Sequence, residues 1–133
     1  DHCSFRDQGG IWPPHCLAGS TGAGVPLDLP LPPSTVIVHK ATAADKDAYS
    51  AFEDTTLDAA LRARGVRRLF VGGLATDYCV LNTVRDAVAL GYVVVLLMDA
   101  IRAVNVQPED GRRAEEEMMR LGGIPLRHEQ LTP

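Results

Sequence analysis

Positive charge, sulfur, aromatic rings and long apolar runs are all scarce in these 133 residues, and each shortage removes a class of function. Lysine and arginine total 13 against 17 aspartates and glutamates, a net charge of −4, so there is no basic excess for nucleic acid or for an anionic membrane surface. Three cysteines, an odd and sparse set, do not make the disulfide framework of a small secreted domain, which points to a reducing, cytoplasmic setting. The longest apolar run, Tyr92 to Met98, falls far short of the roughly 20 residues that cross a bilayer. No basic-then-apolar leader opens the sequence. It starts instead at Asp1-His2-Cys3-Ser4 with no initiating methionine, as a fragment of a longer chain would.

What is present is an ordinary globular composition, 46% hydrophobic and 23% charged, which excludes disorder as the default. The length suits one domain over 1–133, able to bury about two thirds of its unfolded surface without a structural metal or disulfide. Residues 1–34 are broken by Gly9-Gly10, Pro13-Pro14, Gly19 to Gly24 and Pro30 to Pro33 and predict a long loop. Loops of that length in compact domains usually carry function.

Thereafter the texture alternates. Thr35 to Val38 is β-branched and predicts a short strand; Leu57, Ala60 and Leu61 recur at helical spacing before Gly65. Arg68 to Val71 predicts a buried strand ending at Gly72-Gly73, and Asp77 opens a helix with Val80, Val84, Ala87 and Val88 on its apolar face. Tyr92 to Met98 predicts the next strand, Pro108 to Leu121 a helix and Ile124 to Leu126 a last strand. Strand and helix in strict alternation, with near-continuous apolar strands, specify a three-layer α/β/α architecture on a mostly parallel, Rossmann-like sheet. Ligands of such sheets bind beyond the carboxyl ends of the strands, which directs attention to Lys40, to the Gly72 to Cys79 turn and to Asp99.

Cys79 lies where a strand-to-helix turn delivers it into a first helical turn, where unpaired N–H groups favour a thiolate and could also receive an oxyanion. A lone cysteine is more often a small buried hydrophobe; its placement argues otherwise. Lys40 follows a predicted strand toward the same edge, and a cation beside a thiol stabilises the thiolate, against the plainer reading of a solvated loop lysine. Strand alternation turns the neighbouring His39 to the opposite side. His2 and His15, each followed by cysteine, are candidate ligands for a divalent metal, zinc ahead of manganese or iron. With Cys3 and Cys16 they make a Cys2His2 count, although adjacent His-Cys pairs lack zinc-finger spacing; a Cys3–Cys16 disulfide is disfavoured in a reducing setting. Trp12 and Tyr49 are loop aromatics of the kind that wall a flat-ligand pocket, or simply cap a core. Asp77 reads as a helix-start acid and Asp99 as a strand-end carboxylate.

Trp12-Pro13-Pro14-His15-Cys16 with Gly19 and Gly22-Ala23, Lys40 with Tyr49-Ser50-Ala51-Phe52, and Gly73-Leu74-Ala75-Thr76-Asp77-Tyr78-Cys79-Val80 with Thr83 and Asp86-Ala87 together resemble the nicotinamidase/pyrazinamidase branch of the isochorismatase-like cysteine hydrolases. The resemblance extends over essentially the whole chain. It implies Cys79 as nucleophile, Lys40 as catalytic lysine, and the backbone N–H groups of Ala75 and Cys79 as an oxyanion hole beside a cis Leu74–Ala75 bond. It further implies metal binding by His2 and His15, and substrate contact by Trp12, Tyr49, Leu74 and Tyr78, the last standing where many relatives have a histidine. The activity it implies is hydrolysis of nicotinamide to nicotinate and ammonia through a cysteine thioester.

The family's general base, an aspartate ending its first strand, and an aspartate and histidine preceding the position of His2 have no match here. The sequence is therefore expected to begin midway through the family pattern. Two other readings stay open: a hydrolase of the same superfamily acting on another small amide or on an isochorismate-type substrate, and a non-catalytic fragment serving as a partner or subunit module. A homo-oligomer is left open.

Overall fold

The computed structural model describes residues 4–43 and 45–131. Up to residue 56 the described chain is loop, with short 3-10 turns at Arg6–Gln8 and Thr21–Ala23 and one bridge between Phe5 and Trp12. Regular structure then follows in strict alternation: α1 (Leu57–Ala63), β1 (Arg68–Leu74), α2 (Leu81–Ala89), β2 (Val93–Arg102), α3 (Asp110–Arg120) and β3 (Ile124–Leu126). The strands form one parallel sheet in the order β1-β2-β3. Each parallel pair needs a helical crossover, and α2 and α3 supply them. The class is α/β, as the alternating periods predict.

Helical and strand periodicities converge on one apolar cluster. Val84 and Ala87 of α2, Val94 and Leu96 of β2, and Met118 of α3 are all within 1% of complete burial, and Leu61 of α1 packs against the same cluster. Leu96→Ala or Met118→Ala would cost about 2–5 kcal/mol here through lost contact and the cavity left behind. The other face of the sheet carries Phe70, Val93 and Ile124, each more than two-fifths exposed.

Three local expectations are corrected. Thr35 to Val38 joins no sheet among the described residues, and Val36 and Ile37 are more than half exposed; β-branched residues suit a pleated surface, but a strand exists only through a non-local partner. The helix expected from Asp77 begins instead as a five-residue π-type turn, Thr76–Val80, before α2. Arg68 to Val71 is not fully buried, because β1 lies at the end of the described strand order and only Leu69 and Val71 turn toward the core. Among the described residues no helix is long and apolar enough to cross a membrane.

Candidate active site

The carboxyl end of β1 opens into a cavity of about 740 Å³, within the range that accommodates a small organic ligand. Three stretches far apart in sequence build it.

The first is the loop around Trp12. The Arg6 N–H donates to the Trp12 carbonyl at 2.7 Å and the Trp12 N–H to the Ser4 carbonyl at 3.2 Å, closing a ring of residues over the buried Phe5. Gly10 is required at the crossing, since a Cβ there would lie 1.8 Å from the Ser4 oxygen. The indole Nε1 of Trp12 then donates to the Tyr49 hydroxyl at 2.9 Å. His15 Nδ1 lies 2.7 Å from the Pro13 carbonyl; a carbonyl only accepts, so Nδ1 is the donor of that bond.

The second stretch carries Lys40 and Tyr49. The Lys40 ammonium donates to the Ala48 carbonyl at 2.9 Å and to the Cys79 sulfur at 3.4 Å. The 49–53 turn is tied to α2 by the Ala51 N–H donating to the Thr83 hydroxyl at 2.9 Å.

The third is the turn that carries Cys79. The bond between Leu74 and Ala75 is cis, and the Ala75 carbonyl accepts the N–H groups of Tyr78 and Val80 at 3.1 and 3.0 Å, folding Cys79 back toward the sheet end. Tyr78 meets Trp12 edge-on, ring centroids 4.7 Å apart, and Tyr49 at 5.7 Å. Burial, and next the charge of Asp77, push the Tyr78 phenol above its ordinary range.

Of the residues singled out from sequence, Cys79, Lys40, Ala75, Leu74, Trp12, Tyr49, Tyr78 and His15 all line this one cavity. His2 and Cys3 lie outside the described residues, while Cys16 is a free, exposed thiol at the cavity wall. One assignment changes. His39 does not turn away from Lys40; it lines the same cavity, because strand alternation does not govern a segment that is not a strand. Asp77 is the acid of the first turn of Thr76–Val80, as its helix-start reading has it, and its two oxygens accept the N–H groups of Val104 and Asn105 at 3.0 and 2.8 Å. Asp99 lies within β2, away from the cavity, and accepts the His128 N–H at 2.9 Å; that bond holds its carboxyl below the ordinary range. Sequence reasoning missed the Ala48 carbonyl and Val104, and no side-chain signal could have revealed the first.

The Isochorismatase domain model matches residues 1–130. The chain belongs to the isochorismatase family. Within it, the chain is 38% identical over 143 residues to the nicotinamidase of Escherichia coli, a match covering 92% of this chain and 67% of the relative. Among solved structures, the pyrazinamidase of Pyrococcus horikoshii in complex with zinc is 45% identical with a TM-score of 0.87, covering 95% of this chain and 68% of that one. PnC1 from L. infantum in complex with nicotinate is 36% identical with a TM-score of 0.90, covering 98% of this chain and 68% of that one. The chain thus spans about two thirds of the length of these isochorismatase-family relatives. Among the described residues no group of three His, Cys, Asp or Glu side chains could hold a metal ion. His15 is the one candidate metal ligand from the sequence that lies among the described residues, at the cavity wall; its fellow candidate His2 lies outside them.

Proposed function

We propose that the protein is an amidohydrolase that converts nicotinamide to nicotinate and ammonia through a thioester on Cys79. The observation that carries this reading is the Lys40 ammonium 3.4 Å from the Cys79 sulfur, in a cavity that Trp12, Tyr49, Tyr78, Leu74 and Val104 also line. The activities of the relatives support the same reaction class.

The sulfur attacks the carboxamide carbon, forming a C–S bond as the carbonyl electrons move onto oxygen, and the N–H groups of Ala75 and Cys79 receive that oxyanion. Lys40 is a charge-assisted partner for the sulfur in its anionic form. Collapse of the intermediate breaks the C–N bond, and nitrogen leaves as ammonia with the proton the thiol gave up. Water then attacks the thioester, the C–S bond breaks, and nicotinate departs as the thiol is restored. Trp12, Tyr49 and Tyr78 offer ring edges and faces to a flat heteroaromatic ring. In the family resemblance the proton is carried by an aspartate that these 133 residues do not match.

Ammonia release from nicotinamide tests the reading, alongside mass spectrometry for an acyl adduct on the Cys79 peptide. Cys79→Ala is expected to abolish both. Full activity in Cys79→Ala, or no turnover of nicotinamide by the unaltered protein, overturns it.

A further inference from the structure

We infer that Asp77 is a positioning residue that sets the width of the cavity by tying Val104, one of its walls, to the turn that presents Cys79. Both of its carboxylate oxygens are engaged, Oδ1 by the N–H of Val104 at 3.0 Å and Oδ2 by the N–H of Asn105 at 2.8 Å. Consecutive backbone donors on one carboxylate make a two-point grip that fixes direction as well as distance. Asn105 sits at φ +54°, a left-handed conformation that asparagine tolerates better than most non-glycine residues and that turns the chain where Asp77 grips it.

The far side of the same loop is anchored to α3. The Asn105 side-chain oxygen accepts the Gly111 N–H at 2.8 Å, and a Cβ on Gly111 would come within 2.5 Å of the Ala103 Cβ, so loop and helix are in close contact there. Ala103 and Asn105, on either side of Val104, are thus held against α3. Through their N–H groups Val104 and the same Asn105 are tied by Asp77 to the segment two residues before Cys79. Val104 is half exposed and lines the cavity together with Leu74, Ala75, Tyr78 and Cys79. Strand β1 delivers the turn and strand β2 delivers the loop, and Asp77 is the side chain that sets their separation at the cavity.

The consequence for substrate binding rests on the amidohydrolase reading; the geometric role does not. The test compares alkylation of Cys79, read on its own peptide by mass spectrometry, with iodoacetamide and with the bulkier N-phenylmaleimide. Any change in sulfur ionisation moves both rates together, so their ratio reports access alone. In Asp77→Ala the ratio is expected to move by about fivefold in favour of the bulky reagent, as loss of two charge-assisted bonds frees the wall. Val104→Ala, which leaves the clasp intact and removes the wall, is expected to move the ratio the same way. With nicotinamide as substrate, Asp77→Ala should raise KM by about tenfold with kcat within threefold.

An unchanged ratio in either variant overturns the positioning role, as does a loss of kcat at constant KM. If the unaltered protein does not turn over nicotinamide yet both ratios shift, the positioning role stands and the amidohydrolase reading falls.

Discussion

Trp12 and Tyr49 are joined side chain to side chain, indole N–H to phenol oxygen at 2.9 Å, across 37 residues of chain. Each is held on its own loop by separate means: Trp12 by the closed ring over Phe5, and Tyr49 by a turn fastened to α2 through Thr83. The bond therefore registers two loops against each other. Tyr49→Phe, which removes the hydroxyl and keeps the ring, should raise KM for nicotinamide by about fivefold, the equivalent of one hydrogen bond of about 1 kcal/mol, with kcat unchanged. An unaltered KM would show that the rings are placed by packing alone.

Lys40 has no second cation to replace it within hydrogen-bonding distance of Cys79 among the described contacts. Lys40→Met keeps much of the stem and removes the donor, and alkylation of Cys79 by iodoacetamide at neutral pH is expected to slow by about tenfold, since the thiolate is the reacting form. Equal rates in the two proteins would show that the lysine is structural.

Gly10 is the position where the first loop closes on itself, and Trp12 is the single tryptophan of the chain. Its fluorescence therefore reports this loop without interference. Gly10→Ala forces the ring open against the Ser4 carbonyl. A red shift of the emission and loss of nicotinamide-induced quenching are expected, with the melting temperature little changed because the apolar cluster lies elsewhere. Retained quenching would mean that the loop tolerates the side chain.

Asp58 of α1 accepts the Tyr92 hydroxyl at 2.7 Å and the Arg62 guanidinium at 2.9 Å. The Arg62 hydrogen bond first, and that of Tyr92 next, hold its carboxyl below the ordinary range. A carboxyl depressed in the folded state contributes stability that is present above its unfolded value and is lost as pH falls through the folded one. The melting temperature of Asp58→Asn should accordingly lie below that of the parent at pH 6, with the gap closing as pH is lowered through the carboxylate range. A gap independent of pH would assign the effect to packing of Tyr92 against Phe52, whose rings stack at 5.9 Å.

Elements whose information is local were legible from residue order. The helical spacing of Leu57, Ala60 and Leu61, the apolar face of α2 and the run at Tyr92 to Met98 all correspond to observed elements, because a period of 3.6 or 2 decides which side chains share a face before any tertiary contact forms. Thr35 to Val38 shows the limit: its residues suit a strand, yet no ladder forms with them among the described residues. His39 shows the same limit at the site, since its direction was inferred from an alternation that applies only within a strand.

By itself, then, the sequence determined an alternating α/β chain, a cysteine set in a strand-to-helix turn, and a loop rich in glycine and proline bearing one tryptophan. Only the tertiary structure decided that Lys40 meets Cys79 across 39 residues, that Asp77, a first-turn acid, grips the loop after β2, and that His39 joins the cavity. The division has a physical cause. Periodicity is written in neighbouring side chains, whereas the partner of a single charged group depends on where separate loops close. Those closures are settled by backbone donors and acceptors, such as the carbonyl of Ala48 and the amides of Val104 and Asn105, that every residue carries and no side-chain pattern marks.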